Sequence, residues 1–317
     1  MLGWMKMQCN GLNPRSSHMK CFFFVICLFN FGWVEMGHSS TPVVENPIDK
    51  LVGLHQILVQ APDEAELHLA HLALQEAMVD TWRSNDFWTT SCDALGDRMG
   101  VVHVGEKNER LAIITWNAEK KNRTQLYGGV VIFFDRFGHQ IVQELEHYAS
   151  TVANSSIDSK KRFKPEKWPG AIYYDLILQH QGKTPIYTLL GWDGADGIRT
   201  RKIVETLTIH GGKLRFGTPV IDAGKGSQKR LILEFSDNLT AMLRWREDLN
   251  MIVMDHLSAP DASLRGRTAF YGPDMTYDAL VWQKNHWVLK ENVDVRDPDM
   301  KGPWNNPKRP RRRPRNG

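Results

Sequence analysis

Four aspartates fall in two turn-rich stretches. Asp193 and Asp196 lie in Gly191-Trp-Asp-Gly-Ala-Asp-Gly197, and Asp274 and Asp278 lie in Tyr271-Gly-Pro-Asp-Met-Thr-Tyr-Asp278. Carboxylates beside aromatic rings, here Trp192, Tyr271 and Tyr277, are the groups that ligate a hard cation or accept hydrogen bonds from sugar hydroxyls. The two stretches read as loops. If the fold brings them to one end of a sheet, the four acids form a binding site; otherwise each stretch is a tight turn. A calcium loop would need oxygen ligands at its first, third and fifth positions, which here are Asp193, Ala195 and Gly197. A glycine-rich hairpin turn is the simpler reading of 193–197.

Other groupings carry less. Glu64, His68, His71 and Gln75 share one stripe of a helix, and His-x-x-His spacing suits zinc. A zinc site would need a further ligand from elsewhere, and no His-Glu-x-x-His is present, so these read as surface or packed histidines and no metal is expected. Asp255-His256 with Ser258 nearby has the residue types of a serine hydrolase but lacks a Gly-x-Ser-x-Gly elbow. Asp255 and Ser258 are expected instead to cap the turn leading to Pro260. No phosphate-binding or dinucleotide-binding glycine motif occurs, and no cofactor is expected. Trp116, Trp245, Trp282 and Trp287 lie on alternating strands and read as core, although 11 tryptophans could also build a sugar-stacking surface.

The elements that must position these residues are mostly strands. Residues 41–61 read as an extended lead-in. Pro62-Asp63-Glu64 opens one helix to about Arg83, with Leu67, Ala70, Leu74, Met78 and Thr81 on its buried side and Leu69 and Leu72 on a second buried face. From Met99 onward, short alternating runs are separated by turns such as His210-Gly-Gly-Lys213 and Lys284-Asn-His286. Arg230–Phe235 and Ala241–Arg246 alternate as strands with one face buried and one solvated. Connections this short predict a mainly β, antiparallel meander, whether sandwich, barrel or propeller-like, with one N-terminal α-helix. Residues 40–150 form a helix-plus-sheet part, 171–300 a C-terminal β part, and 301–317 a disordered basic tail.

The N-terminus carries a compartment signal. Lys20 precedes the apolar run Cys21–Val34, and Gly37, Ser39 and Ser40 follow. Fourteen residues make roughly 21 Å of helix, too short for a ~30 Å hydrocarbon core. The layout is that of a secretory signal peptide within residues 1–39, with Met19 as the true start. The net charge of +4 resides in the tail. From Ser40 to Asn306 there are 31 basic and 35 acidic residues, so no nucleic-acid partner is expected. Membrane contact is expected only through the signal segment if it stays uncleaved. Cys9, Cys21 and Cys27 leave with that segment, which strands Cys92 without an internal disulfide partner.

Several motifs carry a resemblance. Gly191–Gly197, Arg201-Lys-Ile-Val-Glu205, Phe216-Gly-Thr-Pro219, Asp255-His-Leu-Ser258, Tyr271–Asp278 and Glu291-Asn-Val-Asp-Val-Arg296 are similar to stretches of a group of uncharacterised bacterial exported β-rich proteins with no assigned function. Asp86–Leu95 and Arg110–Trp116 match that group more loosely. The resemblance implies export and a β-rich body, and no activity. The expectation is an exported, non-catalytic envelope or extracellular protein, whose partner would be an envelope component or a glycan. The alternative is a secreted hydrolase acting on glycans.

Overall fold

The computed structural model describes residues 46–148, 157–224 and 226–295. The expected signal segment, its expected start at Met19, the expected disordered tail and the cysteines at 9, 21 and 27 lie outside them. The described residues form one compact unit.

Two long helices begin the described chain, where one was expected. Helix α1 (Pro47–Val59) occupies much of the predicted lead-in. Its start is locally encoded, because the Asn46 side chain accepts from the Ile48 N–H and Pro47 stands in the first turn. Ile48, Leu51, His55 and Leu58 are its buried residues. Helix α2 (Glu64–Ser84) is capped by Asp63, which accepts from the N–H groups of Ala65 and Glu66 at 2.9 Å each. Leu67, Ala70, Leu74, Met78 and Thr81 are buried as their spacing requires. Leu69 and Leu72 are 66% and 50% exposed, so the helix buries one face and the expected second buried face is corrected. A short helix, α3 (Asp93–Gly96), precedes the strands.

The strands follow in chain order. The first four are β1 (Gly100–Val104), β2 (Leu111–Glu119), β3 (Gln125–Phe134) and β4 (Gln140–Leu145). Next come β5 (Ile172–Gln181), β6 (Thr184–Asp193), β7 (Arg199–His210) and β8 (Lys213–Phe216). Two short strands, β9 (Ile221–Asp222) and β10 (Ser227–Gln228), lead to β11 (Arg230–Ser236). The last are β12 (Leu243–Arg246), β13 (Met251–Ser258), β14 (Gly272–Gln283) and β15 (His286–Lys290). The protein is mainly β and antiparallel, as its short connections require. The β9–β15 pair is parallel. The β7–β8 turn has Gly211 and Gly212 at positive φ, and the β14–β15 turn has Lys284 and Asn285 there, which matches strand twist in two-residue hairpins.

Three sheets result: β1-β2-β3-β4, β11-β7-β6-β5 with β8 on β7, and β10-β9-β15-β14-β13-β12. Side-chain alternation lets one sheet serve two cores. Ile114, Trp116, Val130 and Ile132 of the first sheet pack with Leu74, Met78 and Trp82 of α2. Their neighbours Ile113, Val131 and Phe133 pack with Tyr173, Leu189, Ile203 and Leu207 of the second sheet. Ile177, Leu190 and Val204 on its other side meet Ile252, Leu280 and Trp287 of the third. The layers are therefore helix, sheet, sheet, sheet. Gly128 is required beside Trp116 in the first core, since a Cβ there would stand 2.4 Å from the Trp116 ring.

Covering both faces of the middle sheet explains why β11 departs from simple alternation. Arg230 is fully buried, and Leu231, Ile232 and Leu233 are all half-buried. The Arg230 Nε donates to Glu205 Oε2 at 2.8 Å, and its Nη1 reaches the Lys161 carbonyl at 2.6 Å. One buried guanidinium thus ties two strands to the segment near residue 160.

Candidate functional site

The structure gives the four predicted aspartates two separate sets of partners. Asp193 ends β6 and is buried. It accepts from the Tyr127 hydroxyl at 2.8 Å and the Ala195 N–H at 2.9 Å, and pairs with Arg201 at 2.9 Å. Asp196, in the β6–β7 turn, accepts from the Ile198 and Arg199 N–H groups and pairs with the Arg199 guanidinium. Burial works against its charge, yet the Arg199 bonds hold its carboxyl below the ordinary range. Glu234 on β11 joins both arginines, at 2.6 Å from Arg201 and 3.3 Å from Arg199. Asp193 and Asp196 therefore belong to one ion network that staples the hairpin to β11. That hairpin is the glycine-rich turn expected, with Ala195 and Gly197 at positive φ.

Asp274 and Asp278 sit on β14, a strand where a loop was expected. The reason is a bulge. His256 is the one β13 residue skipped between the Asp255–Tyr277 and Leu257–Pro273 pairs, and it faces the Asp274-Met275-Thr276 triplet. Met275 adopts φ 70° and is 91% exposed. Asp278 Oδ2 lies 2.8 Å from His256 Nδ1, while its Oδ1 accepts from the Asn292 N–H. That bond, with the charges of Asp278 and Asp274, holds the imidazole above its usual range. Asp274 Oδ2 stands 3.9 Å from His256 Nε2, and its Oδ1 accepts from the Thr276 N–H and hydroxyl.

Asp255 and Ser258 do not cap a turn. The Asp255 carboxylate accepts from the Met242 N–H at 2.7 Å, and Ser258 pairs with Gly272 inside the sheet. Both remain strand residues because β13 continues to Ser258. On α2, Gln75 donates to the Gly129 carbonyl at 3.0 Å and His71 lies tilted against Trp116 at 6.4 Å. Burial drives His71 down to about 4. Among the described residues, no group of three His, Cys, Asp or Glu is placed to hold a metal.

A concave site lies elsewhere, in the segment between α2 and β1. A cleft of about 530 Å³ is lined by Phe87, Trp88, Thr90, Ser91, Cys92, Asp93, Gly96, Asp97, Val101 and His103. Its shape begins with Asp86, whose carboxylate accepts from the Trp88 N–H and so forms the single helical turn Phe87–Thr89. Phe87 is buried, with edge contacts to Trp82 and Trp88 at 5.1 Å and to His103 at 5.8 Å. Trp88 is fixed by Phe134 at 5.1 Å and by the Arg110 guanidinium 4.8 Å from its ring. Arg110 also lies 4.1 Å from the Phe134 ring and donates to the Lys107 carbonyl. One wall is therefore aromatic and immobilised.

The polar groups come from α3 and its flanks. Asp93 and Asp97 are one helical turn apart, and Ser91 donates to Asp93 Oδ2 at 3.0 Å. Neither carboxylate has an ion-pair partner among the described residues. Burial, with the charge of Asp93, pushes the half-buried Cys92 thiol up to about 11. At neutral pH it is a protonated, weakly polar wall and no thiolate nucleophile. Sequence reasoning passed over this site. The available signal was a tryptophan beside acids and hydroxyls in a turn-rich segment between a helix and the first strand.

No family model, curated protein or solved structure matches this chain.

Proposed function

We propose that this chain is an exported, non-catalytic envelope or extracellular protein that acts by binding a ligand. The observation that carries the reading is the contrast between its acids. Asp193, Asp196 and Glu234 are spent on Arg199 and Arg201, whereas the carboxylates of the aromatic cleft, Asp93 and Asp97, face it without a cation. Rigid apolar walls with a few convergent polar groups are what recognition needs. Export is supported by the Lys20-to-Ser40 layout and by the resemblance to exported β-rich proteins.

Expression from Met19 in a bacterium with a C-terminal tag tests the compartment. The protein is expected outside the cytosol with its mature N-terminus near Ser39. Cytosolic protein retaining residues 22–34 would refute export.

One observation favours a secreted hydrolase instead. The Asp278 carboxylate holds a partly exposed imidazole by its Nδ1, with Nε2 3.9 Å from Asp274, a carboxylate–imidazole pair of the kind that general bases use. Incubation with chromogenic glycosides and esters separates the readings. Release above background that disappears in His256→Gln would establish the hydrolase.

A further inference from the structure

We propose that the cleft walled by Trp88 and floored by α3 binds a short neutral glycan. This rests on the binding function above and names its ligand class. The lining sets three conditions. The immobilised Trp88 ring offers an apolar surface, and Val101 and the protonated Cys92 extend it. Asp93 and Asp97 are acceptors without an ion-pair partner among the described residues, the Ser91 hydroxyl lies beside Asp93, and Thr90 lines the same cleft. An anionic ligand is disfavoured because two carboxylates one turn apart would repel it.

A pyranose satisfies all three conditions at once. Its C–H face covers an aromatic ring while its hydroxyls, pointing outward round the edge, donate to carboxylates. A purely apolar ligand would strip water from Asp93 and Asp97 without replacing its hydrogen bonds. An organic cation would satisfy the acids, but the Trp88 ring already holds the Arg110 guanidinium, whose charge opposes a second cation nearby. The neutral polyol is the class that meets no opposing group. None of these lining residues takes part in the Asp193–Arg201 or His256–Asp278 contacts, so the cleft is chemically independent of them.

The test is titration calorimetry on the full chain with cellopentaose, maltopentaose and the pentamer of N-acetylglucosamine, with spermidine and pentagalacturonate as charged counterparts. At least one neutral pentasaccharide is expected to bind. Trp88→Ala should weaken it by about tenfold or more, and Asp97→Asn by roughly three- to tenfold. Asp97 is exposed, so its variant keeps the test decisive if Trp88→Ala fails to fold. Silence of all three neutral probes up to about 10 mM overturns the proposal. So does binding of spermidine or pentagalacturonate alone, or neutral binding that neither substitution changes. Chromatography of the same mixtures separates the two readings. Shortened oligosaccharides would overturn the non-catalytic function and leave the glycan cleft standing, whereas absent binding removes the cleft's ligand and leaves export and envelope function untouched.

Discussion

His147 shows how a single half-buried base can shape the acid limit of a fold. Burial holds it at about 4, and its Nδ1 accepts from the Tyr127 N–H at 3.2 Å, a bond that only the neutral ring can accept. Because the folded value lies below the unfolded one near 6.5, stability from this group is complete above pH 6.5. It is lost as pH falls toward 4, by roughly 3 kcal/mol in all. Urea midpoints of the wild type should therefore drop between pH 6.5 and 4, with a visibly shallower slope for His147→Gln. Equal slopes would mean that the ring is not held neutral. Arg230 poses the complementary case, a buried charge whose partner Glu205 is just as buried. Arg230→Met should cost about 3–5 kcal/mol in chemical denaturation, because the buried Glu205 loses its counter-ion. Adding Glu205→Gln should recover part of that loss. If the double variant is no better than the single one, the cost comes from the carbonyls of Asp158 and Lys161 that Arg230 also holds.

Helix α2 separates stripe from composition. Leu74 is fully buried against the first sheet, whereas Leu69, five residues earlier, stands in solvent. Leu74→Ala should lose about 2–5 kcal/mol, and Leu69→Ala should stay within about 0.5 kcal/mol. Comparable losses from both in thermal melts would mean that the outer face of α2 is covered. Both leucines were legible as helical, but only the stripe shared with Met78 and Trp82 had a sheet to meet. Helix α1 was readable too, in Asn46-Pro47 and in the spacing of Ile48, Leu51 and Leu58. The extended reading fails there because the Asn46 cap and Pro47 start a helix on a flank that otherwise looks irregular.

On the scale of the molecule, the second core draws side chains from both β1–β4 and β5–β8. Two parts that share a core cannot expose one half without stripping the other. Residues 46–295 are therefore expected to unfold in one transition, with far-UV and near-UV signals coincident in urea. Two resolved transitions would show that the helix-plus-sheet part and the C-terminal β part have independent cores.

The mainly β class, the antiparallel order and the hairpins at Gly211-Gly212 and Lys284-Asn285 followed from sequence, because alternation, caps and positive-φ turns are encoded within a few residues of where they act. The partners of the acids did not. Asp278 meets His256 across 22 residues, and Asp193 meets Tyr127 across 66. In sequence, Asp193 and Asp278 look alike, as acids following an aromatic residue in turn-rich stretches; what separates them is whether an arginine or a histidine arrives from another strand. The cleft at Trp88 is likewise a tertiary product. Its wall needs Arg110 from the turn before β2 and Phe134 from the end of β3, and only their packing turns an ordinary surface tryptophan into a fixed one. Local chemistry chose the elements, and the stacking of sheet on sheet chose which side chains were left free to bind.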